Sequence, residues 1–212
     1  MKYIKMLFAH GWHETVPPIA ETISLIHCEW SEAMEEYRAG RPFVWYNCTE
    51  GGSTMINPCN PESESDCLNF GKADCPYQSR KPEVIAVELM DGVIRIFDLM
   101  AQYEYQFYTT TMAEAIGKTM RANPFMNKDT PLPELTATLH SLTAKAGEAC
   151  TFALNKLKTT DKQSLRAAIC PLEAAIGFAC YWVKVNGLDP EKIILEKHEY
   201  NKGRPWKHGK LC

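Results

Sequence analysis

The stretch Lys81-Pro-Glu-Val-Ile-Ala-Val-Glu-Leu-Met-Asp-Gly-Val-Ile-Arg-Ile-Phe-Asp-Leu-Met100 decides how the chain folds. Pro82 and Glu83 read as the first turn of a helix, because proline's fixed φ suits that turn and a carboxylate suits the positive end of the dipole. At about 100° per residue, Glu88, Asp91, Arg95 and Asp98 fall into one stripe roughly 80° wide. Val87 and Ile94 border it on one side, Ile85 and Leu99 on the other, and nearly everything else on the cylinder is apolar. A surface helix gives about half its circumference to water, so this narrow stripe is enclosed between apolar walls. Enclosed carboxylates require a cation, a hydrogen-bond donor or a proton.

A second acidic helix precedes it. From Pro18 to Ala39, Ile19, Ile23, Ile26, Trp30, Ala33 and Tyr37 recur at threes and fours and form a core face, which Gly40 and Pro42 end. Beside that face lie Glu29, Glu32 and Glu36, within roughly 60° of one another. Alone, they read as a solvated acidic edge that repels itself by a few tenths of a kcal/mol per pair. With the stripe helix they read differently. Glu29-x-x-Glu32 and Glu88-x-x-Asp91, facing each other in a bundle, make an all-oxygen cage for hard divalent cations. Di-iron bundles use Glu-x-x-His pairs, and the chain contains none. The donor set therefore points to magnesium or manganese rather than iron or zinc.

The remaining periodicity is also helical. The stripe helix runs on to about Phe107, and Thr111-Met-Ala-Glu114 forms a capping box for a short helix. Leu135, Leu139, Leu142, Ala146, Cys150, Ala153 and Leu157 share one face of a helix from Pro133 to Leu157. Thr160 and Gln163 cap the next, which reaches Val185 with a kink at Pro171. Asn186-Gly187 closes it, and Asp189-Pro190-Glu191 opens a last helix that frays near Asn201. The expected architecture is a single all-α domain, a bundle of four or five helices interrupted by one long crossover.

That crossover, residues 41–80, is rich in Asn, Pro, Gly, Ser and Cys and has no periodicity. Four of the nine cysteines, Cys48, Cys59, Cys67 and Cys75, lie in it. Four thiolates could hold a structural zinc. There is no Cys-x-x-Cys knuckle, however, and reduced loop thiols are the alternative. His10 and His13 could share a metal, or simply pack around Trp12.

Composition narrows the function classes. The 212 residues are 45% hydrophobic and 23% charged, ordinary for a chain with a sizeable core. A net charge of −3 gives no support to binding a nucleic-acid polymer or an anionic membrane. The first ten residues are too briefly apolar for a signal peptide, and no run of eighteen apolar residues suggests a membrane span. With an odd number of cysteines as well, a reducing cytoplasm is the expected location.

The tail from Lys197 to Lys210 is basic and polar. By itself it is a solvated terminus; beside an acidic metal cage, its donors suit phosphate oxygens. Three blocks, Leu25 to Arg38, Arg80 to Asp91 and Glu196 to Pro205, resemble in order the MazG-like nucleoside triphosphate pyrophosphohydrolases of the all-α NTP pyrophosphatase superfamily. They cover under a third of the chain. The resemblance implies hydrolysis of (deoxy)nucleoside triphosphates to monophosphate and pyrophosphate, with Glu29, Glu32, Glu88 and Asp91 as metal ligands. It implies Glu36 or Glu35 as the carboxylate orienting water, and Lys197, Asn201, Arg204 and Lys81 as phosphate contacts. It further implies a homodimer or higher homo-oligomer. Trp30, Met90 and Gly92 depart from the small aliphatic residues usual at those positions. Two other readings compete: a metal- and nucleotide-binding sensor or assembly module without turnover, and a plain bundle whose acids pair with Arg95, Arg38 or Lys81.

Overall fold

Ile19, Ile23, Ile26, Trp30 and Ala33 all turn inward on the first helix, α1 (Ile19–Arg38), as their spacing requires. Tyr37, at the end of that series, falls outside the packed face and is exposed. Gly40 closes the helix at φ 68°, a conformation that side-chain-bearing residues avoid. The computed structural model describes residues 17–41, 43, 45–50, 53–59, 79–103, 116–117, 127, 129–155 and 162–202.

The crossover corrects one expectation. Between residues 45 and 83, β1 (Trp45–Glu50), β2 (Ser53–Cys59) and β3 (Ser79–Glu83) form a small antiparallel sheet in the order β2-β1-β3. Pro82 and Glu83 are therefore not the first turn of the stripe helix: they pair with Tyr46 and Trp45 of β1. Proline is tolerated there because, among the described residues, β3 is an edge strand with no second neighbour to receive its missing N–H. Pairing with a distant strand outweighed a local helix-start signal.

The strand becomes helix at Val84, whose φ of 77° is unusual for a β-branched residue. Its carbonyl accepts from Val87 N and Glu88 N, while Phe43 O accepts from Ala86 N. These bonds take up the N–H groups of Ala86, Val87 and Glu88 in the opening turn of α2 (Ile85–Gln102) without a side-chain cap. On α2 the stripe is as narrow as the sequence suggested. Glu88, Asp91, Arg95 and Asp98 are half-buried, and nearly all the remaining positions are buried.

The other helices complete an all-α body around α2. Leu132, Leu135, Leu139, Ala146, Cys150 and Ala153 of α3 (Leu132–Asn155) face inward, with Leu142 partly buried beside them. The following helix breaks into α4 (Lys162–Ile169) and α5 (Pro171–Val185). At the break, three-residue hydrogen bonds join Cys170 N to Ala167 O and Glu173 N to Cys170 O, as expected where Pro171 removes a donor. Gly187 ends α5 at φ 86°. Asp189 Oδ1 then accepts from Glu191 N and Lys192 N to start α6 (Pro190–Lys202).

Helix α2 packs against α1, α5 and α6, while α3 joins α1 to α5. Gln163–Val185 is long and apolar enough to cross a membrane, but 67% of its most apolar window is buried in the bundle. It serves as a core helix. The capping box at Thr111–Glu114, Leu157, Thr160, His10 and His13 lie outside the described residues.

Candidate metal centre

Glu29 comes from the middle of α1; Glu88 and Asp91 come from the first two turns of α2. A three-residue spacing on a helix puts Glu88 and Asp91 one above the other, facing α1. Each of the three offers a carboxylate oxygen, and these oxygens lie within 4.8 Å of one another. The two acidic helices do converge.

Two cations enter the cluster. Arg95, one turn beyond Asp91, donates from Nε to Glu29 Oε1. Lys197 reaches in from α6, and its Nζ stands 2.6 Å from Asp91 Oδ2. The lysine is only 6% exposed, which is rare for an ammonium without compensating charge. Three carboxylates against two cations leave an excess of negative charge.

The electrostatics follow from that enclosure. Burial pushes the Glu29 carboxyl above its ordinary value; Arg95 pulls it back, while Asp91 and Glu32 add to the rise. Glu88 is pushed up to about 7, first by burial, with Lys197 opposing and Asp91, Glu29 and Glu32 reinforcing. Burial acts to lower Lys197, but the charges of Asp91, Glu88 and Glu29 outweigh it and hold the ammonium above its ordinary value. At neutral pH, Glu88 is thus divided between its two protonation states, inside a site that repels a third negative charge.

The donor set suits a hard divalent ion. It consists of carboxylate oxygens from two rigid helices, with no thiolate or imidazole in the cluster. This cluster could hold a magnesium or manganese ion. The fourth expected acid, Glu32, is exposed and lies outside the three-residue cluster, although its charge is felt by both Glu29 and Glu88. It stands at the solvent side of the site.

The other expected residues are more scattered. Glu35 is exposed, and Glu36 faces Arg41 across 3.8 Å at the end of α1. Lys81 lies on β3 and Asn201 on α6; Arg204 is outside the described residues. Cys48 and Cys59 lie on adjacent strands but are not cross-strand partners, since Cys48 pairs with Met55 and Cys59 with Tyr46. Cys67 and Cys75 are outside the described residues. Cys28, Cys150, Cys170 and Cys180, on the helices and at their junction, are unpaired thiols.

Two arrangements beside the cage escaped sequence reasoning. Trp30, the neighbour of Glu29, is fully buried against Gly92, the neighbour of Asp91. His27 and His140 join α1 to α3 through their Nδ1 atoms, 2.8 Å apart. The glycine inside an apolar helix was a visible signal for the first. Nothing local signals the second, because its partners are 113 residues apart.

No protein-family model matches the chain, and searches of curated proteins and of solved structures return no significant match.

Proposed function

We propose that the chain is a magnesium-dependent nucleoside triphosphate pyrophosphohydrolase, cleaving between the α and β phosphates to give monophosphate and pyrophosphate. One observation carries the reading: Glu29, Glu88 and Asp91 converge from two helices on a common point, beside a buried lysine. Bound there, magnesium supplies charge neutralisation for phosphate oxygens and a water of lowered pKa.

The chain's own residues do the positioning. Glu29, Glu88 and Asp91 fix the cation, and Arg95 holds Glu29 in a single orientation. Lys197 offers a buried ammonium to a non-bridging phosphate oxygen close to those carboxylates. Glu32, on the solvent side, accepts a hydrogen bond from the incoming water and aligns it with the α phosphorus. Asn201 and Lys81, with Arg204 further on, are the remaining phosphate contacts in this reading.

The test is chromatographic. Purified protein incubated with a panel of nucleoside triphosphates and Mg²⁺ should release pyrophosphate and monophosphate in equal amounts. Asp91→Asn should abolish release while circular dichroism stays helical. Undiminished turnover by folded Asp91→Asn and Glu88→Gln would falsify the assignment.

A second reading is a nucleotide-binding module without turnover: Glu36, the carboxylate that the family resemblance implies for orienting water, is engaged with Arg41 rather than with the cluster. Tight binding of intact triphosphate, with no product after long incubation, selects it.

A further inference from the structure

The indole of Trp30 occupies space that a side chain at position 92 would need. A Cβ built on Gly92 would stand 2.3 Å from Cζ3, 2.5 Å from Cη2 and 2.8 Å from Cε3 of that ring. Carbon atoms rest at about 3.5–4.0 Å from one another, so any residue but glycine would push the two helices apart by roughly 1 Å or more. The backbone at Gly92 is ordinary α-helix, since the positive-φ glycines are Gly40 and Gly187. The glycine is there for space, not for conformation.

The ring is also fixed from behind. Its Nε1 donates to Thr143 Oγ1 at 3.0 Å, and Thr143 Oγ1 donates in turn to Leu139 O at 2.8 Å on α3. Both side chains are fully buried. The indole cannot tilt away without leaving an indole N–H unpaired in the core.

Each partner in this contact is the immediate neighbour of a cage acid: Glu29 precedes Trp30, and Asp91 precedes Gly92. The distance at which the ring seats on the glycine is thus the distance at which α1 presents its carboxylate to α2. We infer that Trp30 and Gly92 are positioning residues, and that their interlock sets the gap across which Glu29 and Asp91 share one divalent cation. The inference rests on the metal-centre reading above and adds what determines its dimensions. Divalent ions of magnesium's size demand oxygens at about 2.0–2.1 Å in near-ideal geometry. A gap opened by roughly 1 Å is therefore expensive.

Mn²⁺ binding by isothermal titration calorimetry, in the absence of nucleotide, tests this apart from activity. Wild-type protein must first bind Mn²⁺; no binding there refutes the metal-centre reading itself. Given wild-type binding, Gly92→Ala should weaken Mn²⁺ affinity by about 10- to 100-fold. Trp30→Leu with Gly92→Ala, which exchanges bulk across the contact, should restore affinity to within a few fold of wild type while melting at a lower temperature. Affinity would then recover while stability stays below wild type, which a merely structural contact does not produce. Unchanged affinity in Gly92→Ala, or a double variant no better than the single, overturns the inference. If Gly92→Ala does not fold, Thr143→Val decides: it frees the indole N–H while leaving every residue of both acidic helices unaltered. Several-fold weaker Mn²⁺ binding supports the interlock, and wild-type affinity in the folded variant refutes it.

Discussion

The ammonium of Lys197, carried on the last described helix, sits 2.6 Å from the carboxylate of Asp91 on the central one, with both side chains largely out of water. A buried pair of this kind is held together by mutual need. Removing one member leaves the other charge uncompensated, at a cost of about 3–5 kcal/mol. Lys197→Met should therefore lower the melting temperature by roughly 10 °C, at the 2–4 °C per kcal/mol usual for a chain of this size. A divalent ion can take over the neutralisation of Asp91. Adding millimolar Mg²⁺ should then return part of the loss, by more than it raises wild type. Melting curves with and without Mg²⁺ check this; equal shifts in both proteins would mean that no cation takes over the neutralisation of Asp91.

Glu88 predicts how the site responds to pH. Its folded pKa of about 7, raised chiefly by burial, lies above the ordinary value near 4.5. Between those values the unfolded chain gives up a proton that the folded chain keeps. Glu88 therefore stabilises the fold relative to its ionised state below about 4.5, and that contribution is lost as pH rises through about 7. Metal binding runs the other way, because a cation needs the carboxylate deprotonated. Mn²⁺ affinity should rise by up to about tenfold between pH 6 and pH 8, with proton release seen as a buffer-dependent heat in calorimetry. Glu88→Gln should bind more weakly and lose that pH dependence.

Much of this site was legible because helices are periodic. The stripe on α2 required only the order of Glu88, Asp91, Arg95 and Asp98 among apolar residues, and its half-buried state followed from the narrowness of that stripe. The three acids of the cage were readable for the same reason. What depends on contact between distant segments was not. Pro82 and Glu83 carry a helix-start signature, yet β1 captures them as strand, because the cross-strand partners Tyr46 and Trp45 lie some 37 residues earlier. Gly92 looked like a helix defect worth about 1 kcal/mol; only packing reveals the indole that occupies the place of its side chain. Lys197 reads from the sequence as a basic tail donor suited to phosphate oxygens, and its burial beside Asp91 became visible only once α6 lay against α2.

Among the α1 carboxylates, the structure separates Glu32 from Glu36. Glu32 adds its charge to both Glu29 and Glu88, whereas Glu36 is engaged at a partly exposed helix end with Arg41. Exposed pairs of the latter kind contribute about 0–1 kcal/mol. Glu36→Gln should leave the melting temperature within a degree or two of wild type and weaken Mn²⁺ binding less than twofold. Glu32→Gln, which removes a charge from the mouth of the cage, should weaken it several-fold. Parallel titrations decide, and a reversed order would place Glu36 rather than Glu32 at the mouth of the cage.

His27 and His140 supply a second pH response, opposite in sign to that of Glu88. Their planes differ by 9° and their centroids are 5.1 Å apart, close to the 2.8 Å between the Nδ1 atoms plus the two ring radii. The rings thus meet edge to edge, with one Nδ1–H donating to the other Nδ1. Burial lowers both pKa values, and the neighbouring His27 lowers that of His140 further. A second proton would set two N–H groups against each other. As pH falls below about 6.5, the unfolded chain takes up protons that the folded pair resists, so the stability contributed by this pair is lost on the acid side. In wild type, Glu88 offsets that loss over an overlapping range. Glu88→Gln should uncover it, giving a larger fall in melting temperature from pH 7.5 to pH 5.5 than wild type shows. Adding His140→Gln should flatten the slope again. Identical slopes in wild type, Glu88→Gln and the double variant would show that neither group titrates differently in the folded chain.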